Sequence, residues 1–149
     1  MIHHKNNGYI CEINAAAMVL GHTPAGIAQL LGHDGREVLY PEIQGPERMR
    51  GVHGQEIVDI AILMNIALVQ RECKPEADHC GNLRLVYTRD IGDLIKPHER
   101  PAIVAGLNEQ GHGHAIAYDP KYEYYLDPNG PVSNVPTIRP ELAWIAFPL

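Results

Sequence analysis

Gly113-His114-Ala115-Ile116-Ala117-Tyr118-Asp119-Pro120-Lys121-Tyr122-Glu123-Tyr124-Tyr125-Leu126-Asp127-Pro128-Asn129-Gly130 is the stretch that decides how this chain folds. It reads as two strands joined by a tight turn. Both flanks are rich in Tyr, Ile, Leu and Ala, and turn residues stand at the outer ends. Pro120 suits the second position of a type I turn, with Asp119 before it. Folded at Pro120-Lys121, the ribbon sets Asp119 opposite Tyr122 and His114 opposite Asp127. Directly opposed residues share a face, so a carboxylate would stand beside an imidazole. Such a carboxylate fixes the ring's tautomer and stabilises its charged form. The proline disfavours the commonest two-residue hairpin turn, so the register of this ribbon is the reading most exposed to correction.

Outward from the ribbon, the earlier chain is mostly helical. Glu12 to Leu20 is alanine-rich and favours helix, closed by Gly21-His22, which sets Cys11 at or just inside a helix start. Thr23 and Pro24 open a second helix as N-cap and first residue, with Ile27, Leu30 and Leu31 as its apolar stripe and Gly32 as its end. Residues 32–54 carry many Gly, Pro and His without periodicity and read as a long loop of the kind that is functional or mobile. Helix returns from Gln55 to Met64, with Ile57, Ile60, Ala61 and Met64 on one face. Strands are expected at 66–69, 83–87, 101–107 and 142–147, with a short helix from Asp90 to Ile95 that Thr88 could cap. Pro101 opens its strand, where it removes no ladder bond. Helices first and strands after is the α+β pattern, with helices on one side of an antiparallel sheet.

The chain has 149 residues, enough for one domain with a proper core. It is 45% apolar and 20% charged, with a net charge of −6 scattered along its length. That balance argues against nucleic acid as an obligate partner. No apolar run is long enough to insert into a membrane, and Met1-Ile2-His3-His4-Lys5-Asn6-Asn7 lacks the apolar centre of a signal peptide. Three cysteines are an odd number and fit reduced thiols in a cytoplasmic protein better than a disulfide framework. Signal-independent export is not excluded by this.

The chemistry-bearing residues are Cys11, His114 and Asp127. A thiol is a useful nucleophile only as a thiolate, and a helix N-terminus and a neighbouring imidazolium both favour that form. The helix start supplies the first and His114 the second, with Asp127 orienting the ring. His112 competes with His114 as the thiol's partner, and Asn129 with Asp127 as the orienting group. Cys73, Asp78, His79 and Cys80 have the side-chain types of a zinc site, but their spacing is not that of a finger, and a solvated loop is the better reading. No metal and no cofactor is called for. His3-His4 reads as a flexible terminus, and Tyr122, Tyr124 and Tyr125 as strand packing.

The segment Tyr9-Ile10-Cys11-Glu12-Ile13-Asn14-Ala15-Ala16-Ala17-Met18-Val19-Leu20-Gly21 resembles the nucleophile helix of papain-like cysteine peptidases. The leader-peptidase domains of bacteriocin exporters and their stand-alone relatives are the nearest in pattern. Gly51-Val52-His53-Gly54-Gln55, Gly113-His114-Ala115-Ile116 and Leu126-Asp127-Pro128 are similar to that family as well. The resemblance implies a papain-like α+β fold with Cys11 as nucleophile, His114 as general base and acid, and Asp127 as orienting residue. It also implies an oxyanion hole built with a glutamine upstream of the cysteine. Lys5 stands at that place here, which leaves Asn6 or Asn7 to supply the amide beside the Cys11 backbone N–H. The expected activity is attack on an amide bond of a peptide or protein substrate through a thioester. A peptidase, a glutamine deamidase acting on a partner protein, and an inactive binding module all remain open at this point.

Overall fold

The computed structural model describes residues 1–5, 7–73 and 90–149, and between the last two the backbone of Glu76–Ala77 and Leu83–Arg84. In chain order the elements are α1 (Cys11–Leu20), α2 (Pro24–Leu31), α3 (Gly54–Leu63), β1 (Ile66–Glu72), β2 (Glu76–Ala77), β3 (Leu83–Arg84), α4 (Ile91–Ile95), β4 (Ala102–Leu107), β5 (Gly113–Asp119), β6 (Tyr124–Leu126), β7 (Val132–Ser133) and β8 (Arg139–Pro148). Short 3₁₀ turns stand at Pro46–Arg48 and Lys96–His98. The architecture is α+β. Six strands form one antiparallel sheet in the order β1-β8-β4-β5-β6-β7, while β2 and β3 pair with each other.

Residue chemistry explains the helix ends. Thr23 accepts the Gly26 N–H and Pro24 takes the first helical position, so α2 starts where the sequence says. Gly21 and Gly32 end α1 and α2 in the left-handed conformation that glycine adopts without strain. Every residue of α1 from Ile13 to Leu20 is buried, and its small alanines let it lie close against β5. In α2, Leu30 is 42% exposed while Ile27 is fully buried, so the expected three-residue stripe narrows to Ile27 with Leu31 beside it. Asp90 caps α4 by accepting the Gly92 N–H at 2.8 Å. The alternative cap, Thr88, lies outside the described residues, as does the rest of the expected strand at 85–87.

The sheet has a core on each face. Toward α1–α3 lie Ile103, Ala115, Ala117, Leu126 and Ala146, packed with Ile13, Ile27, Ile57 and Ile60. Toward α4 lie Val104, Ile116, Tyr118, Tyr125 and Ile145, with Ile95 and Cys73. The strand expected at 66–69 runs on to Glu72 and is only half-buried, because β1 is a sheet edge. The last strand spans 139–148 rather than 142–147 and pairs with both β1 and β4. A register shift sits between Ala105 and Gly106, where a Cβ on Gly106 would lie 2.0 Å from the Arg139 carbonyl oxygen.

The ribbon is corrected in register. Asp119 pairs with Tyr124, Tyr118 with Tyr125 and Ala117 with Leu126, so the connection is the four residues 120–123. Glu123 in that turn is at φ 54°, which a two-residue turn centred on Pro120 would not need. Tyr125 packs against Tyr118 with ring centroids 5.2 Å apart. Tyr122 and Tyr124 are exposed and stack on each other instead of packing in the core.

The long loop before α3 is an ordered arch. Val38 and Met49 form an isolated bridge, the Arg50 N–H donates to Glu37 O at 2.7 Å and the Gly51 N–H to Gly35 O at 2.8 Å. The Arg36 guanidinium donates to Gly8 O at 2.8 Å, which pins the arch to the segment leading into α1. Gly35 is at φ 74°, and a Cβ there would come 2.6 Å from the Ile10 side chain. Among the described residues, no helix is long and apolar enough to cross a membrane.

Candidate active site

Cys11 is the first residue of α1. The N–H groups of a helix's first turn have no carbonyl partner within the helix, so the Cys11 N–H is available to a ligand. The entry into α1 is held by Asn14, which is 1% exposed. Its amide nitrogen donates to Tyr9 O at 2.9 Å, and its oxygen accepts the Asn7 side-chain amide at 2.7 Å. A lone amide in an alanine-rich helix is the sequence signal that points to this clamp.

His114 is the second residue of β5 and is 8% exposed. Its Nε2 lies 2.7 Å from Oδ1 of Asp127, which is itself 7% exposed. The hydrogen-bond pattern assigns the Nε2–H tautomer and leaves Nδ1 as the ring's acceptor. Continuing the observed register would set His114 opposite Asn129 and Asp127 opposite Ile116, so the pair meets diagonally. Asp127 leaves the ladder just after β6 and starts a turn closed by the Gly130 N–H on Asp127 O at 3.2 Å. The shift by two residues preserves strand parity, which keeps His114 and Asp127 on one side.

Asp127 is saturated with donors. Besides His114, it accepts the Thr137 hydroxyl on Oδ2 at 2.5 Å and the Asn129 N–H on Oδ1 at 2.8 Å. Burial works against its charge. The bonds from His114, Thr137 and Asn129 outweigh burial and hold the carboxyl down at about 2, from an ordinary 3.8. Thr137 follows the ribbon by a loop, and nothing local in the sequence marks it as a partner. His3 is placed as well: its Nε2 donates to Asp127 O at 2.6 Å, so the expected flexible terminus is corrected at that residue.

Cys11 and His114 line the same cleft, of about 280 Å³, with Tyr9, Met49, Asn108 and Asn129 around them. The Ala115 N–H faces the Cys11 sulfur, which sets the thiol beside the strand position that follows His114. In this arrangement the thiol donates to Glu12 Oε2 at 3.0 Å. Burial pushes the Cys11 thiol well above its ordinary 9.0, and the Glu12 charge and hydrogen bond add to that. The N–H groups of Ala115 and Glu12 pull the other way, with smaller effect. Glu12 is therefore both the next residue in the chain and the hydrogen-bond partner of the thiol, a pairing that adjacency alone does not imply.

The remaining candidates fall elsewhere. The Asn7 amide is committed to Asn14, and Asn7 is not among the residues lining the cleft. An oxyanion role would need that bond to break. Asn6 lies outside the described residues. His112 points Nδ1 at Glu47 and so joins the loop before β5 to the arch on the other side of the cleft. Asn129 serves Asp127 through its backbone, and Asp119 accepts the Lys121 N–H at 3.0 Å in the hairpin turn. Cys73 is buried and donates to Pro140 O at 3.2 Å. Its expected companions Asp78, His79 and Cys80 lie outside the described residues. Among the described residues, no cluster of three or more His, Cys, Asp or Glu side chains could hold a metal ion.

The sequence matches no protein-family model and no curated protein.

Proposed function

We propose that this chain is a papain-like thiol hydrolase that acts on an amide bond of a peptide or protein. The observation that carries the reading is the buried His114–Asp127 pair, 2.7 Å apart, opening on a cleft that also holds Cys11 at a helix N-terminus. Asp127 holds Nε2–H, so Nδ1 is the base. It takes the Sγ proton, and Sγ forms a bond to the substrate carbonyl carbon. The Cys11 N–H meets the oxygen on which negative charge develops. The C–N bond then breaks, and His114 returns the proton to the departing nitrogen. Water attacks the thioester with His114 again as base, which releases the acid and restores the thiol. The same steps cleave a peptide bond or deamidate a glutamine side chain, because the two differ only in what nitrogen leaves.

A second reading, a papain-like binding module without turnover, draws on two specific observations. The thiol is bonded to Glu12, and the Asn7 amide is turned onto Asn14. Losing one oxyanion donor lowers such rates by about 10²–10³. The two readings part on the reactivity of Cys11. Iodoacetamide alkylation from about pH 5 to about pH 9, scored at each cysteine by peptide mass spectrometry, is the test. With Glu12→Gln removing the carboxylate that holds the thiol proton, the hydrolase reading expects Cys11 to react faster than Cys73, and that advantage to be lost when His114→Ala is added. Equal rates at the two sites, unchanged by His114→Ala, would leave the binding module.

A further inference from the structure

Glu12 occupies a position that the proposed chemistry does not use. Its carboxylate accepts the Cys11 S–H at 3.0 Å. It lines the cleft that holds Cys11 and also a second, mainly apolar cavity of about 180 Å³ that shares Gly113 and His114 with it. The walls of that cavity are Val52, Ile57, Ile103 and Trp144. Gly54 leaves it open, since a Cβ there would come 2.6 Å from the Trp144 ring. Among the described residues lining the two cavities, Glu12 is the one carboxylate and there is no Lys or Arg. The ionisable side chains sharing these walls are Tyr9, Cys11, His112 and His114, and His112 is already turned to Glu47.

A carboxylate this close to sulfur opposes the thiolate, because two negative charges would then share one site. Attack by Cys11 requires that charge to be neutralised or turned away. A cation brought in beside the scissile amide does both. It pairs with Glu12, and the thiol proton is then free to pass from Sγ to Nδ1 of His114, giving thiolate and imidazolium. Resting on the hydrolase reading, we propose that Glu12 is a specificity-determining residue that selects substrates with an ammonium or guanidinium group next to the scissile carbonyl, the adjoining apolar chain entering the Trp144 cavity. That cation has two possible sources, the α-ammonium of a substrate's first residue and a Lys or Arg side chain. In the free protein the same carboxylate keeps the nucleophile protonated.

The test separates charge selection from turnover. Alkylation of Cys11 in the full chain is measured with cationic 2-bromoethylammonium, neutral iodoacetamide and anionic iodoacetate. Each rate is normalised to that of a free cysteine peptide. The expected result is a preference for the cation over the anion on the order of tenfold or more, within the range of charge focusing in a cleft. Glu12→Gln should erase the preference and raise the iodoacetamide rate, while Glu12→Asp should retain the preference. Peptides with a free N-terminus, an acetylated N-terminus, or an acetylated N-terminus with Lys beside the scissile bond then identify the source of the cation. Equal normalised rates for cation and anion, or a preference that survives Glu12→Gln, would overturn the inference. Charge selection without cleavage of any peptide would leave Glu12's role standing and remove the hydrolase reading. Cleavage without charge preference would do the reverse.

Discussion

Cys11 and Cys73 are the same side chain in two different settings. Both thiols are pushed above their ordinary value, first by burial. Cys73 sits on the α4 side of the sheet among Ile95, Val104, Tyr118 and Ile145, and its S–H goes to a backbone carbonyl. Around it there is apolar packing, with the charges of Glu141, Asp90 and Glu72 acting on it, and among the described residues no imidazole is in hydrogen-bond contact. Cys11 sits at a helix start and opens on a cleft with His114. The difference teaches that burial alone makes a thiol inert, and that chemistry needs a base placed where the proton can go. Glu12 holds that proton at Cys11, whereas at Cys73 the Pro140 carbonyl holds it.

The largest break in this comparison comes from exchanging roles. If the proposed hydrolase reading holds, Cys11→Ala lowers amide hydrolysis by about 10³-fold or more, since a nucleophile cannot be replaced by packing. Cys73→Ala should leave turnover near wild type and instead cost stability, by about 1 kcal/mol for a small buried group. Urea titrations of both variants beside rate measurements check the crossover. A loss of turnover in Cys73→Ala at full folding would contradict it.

Asp127 sharpens the comparison through pH. Its folded carboxyl is held at about 2, below the ordinary 3.8, so the unfolded chain takes up the proton first as pH falls. The stability it contributes is therefore fully present above 3.8 and is lost as pH falls through about 2. Wild type and Asp127→Asn should accordingly differ in denaturant midpoint near neutrality and converge in acid. A gap that stays constant down to the acid limit would show that the carboxylate's charge is not the source. Cys73, whose S–H goes to a backbone carbonyl, predicts no such convergence for Cys73→Ala.

A smaller effect on the site than that of Asp127→Asn is expected at Thr137. A hydrogen bond to a charged group is worth about 1.5–3 kcal/mol, part of which returns when water reaches the carboxylate. Thr137→Val should raise the Asp127 titration point and weaken the orientation of His114, while Thr137→Ser keeps the hydroxyl and should rescue both. NMR titration of the Asp127 carboxyl in the two variants measures this directly. Identical curves would remove Thr137 from the site.

Much of the helical half was legible in the chain. Thr23-Pro24, Gly21 and Gly32 are local signals whose conformations depend on one or two residues, so they act in the fold as they read in the sequence. Strand parity was legible for the same reason, and it placed His114 and Asp127 on one side of the ribbon. The register was not. A shift by two residues leaves the pattern of apolar and polar positions unchanged, and only the length of the turn at 120–123 distinguishes the two pairings. The companions of the site were not legible either. Thr137 reaches Asp127 and His3 reaches the Asp127 carbonyl through closures that no local pattern encodes. Glu12 was adjacent in sequence, yet its bond to the thiol depends on how α1 docks on β5. By itself, the sequence determined which residues start and stop helices and which side chains share a strand face, because those follow from backbone conformation over a few residues. Tertiary structure alone decided which donors surround Asp127, what holds the Cys11 proton and where the cleft opens, because those are set by packing between segments far apart in the chain.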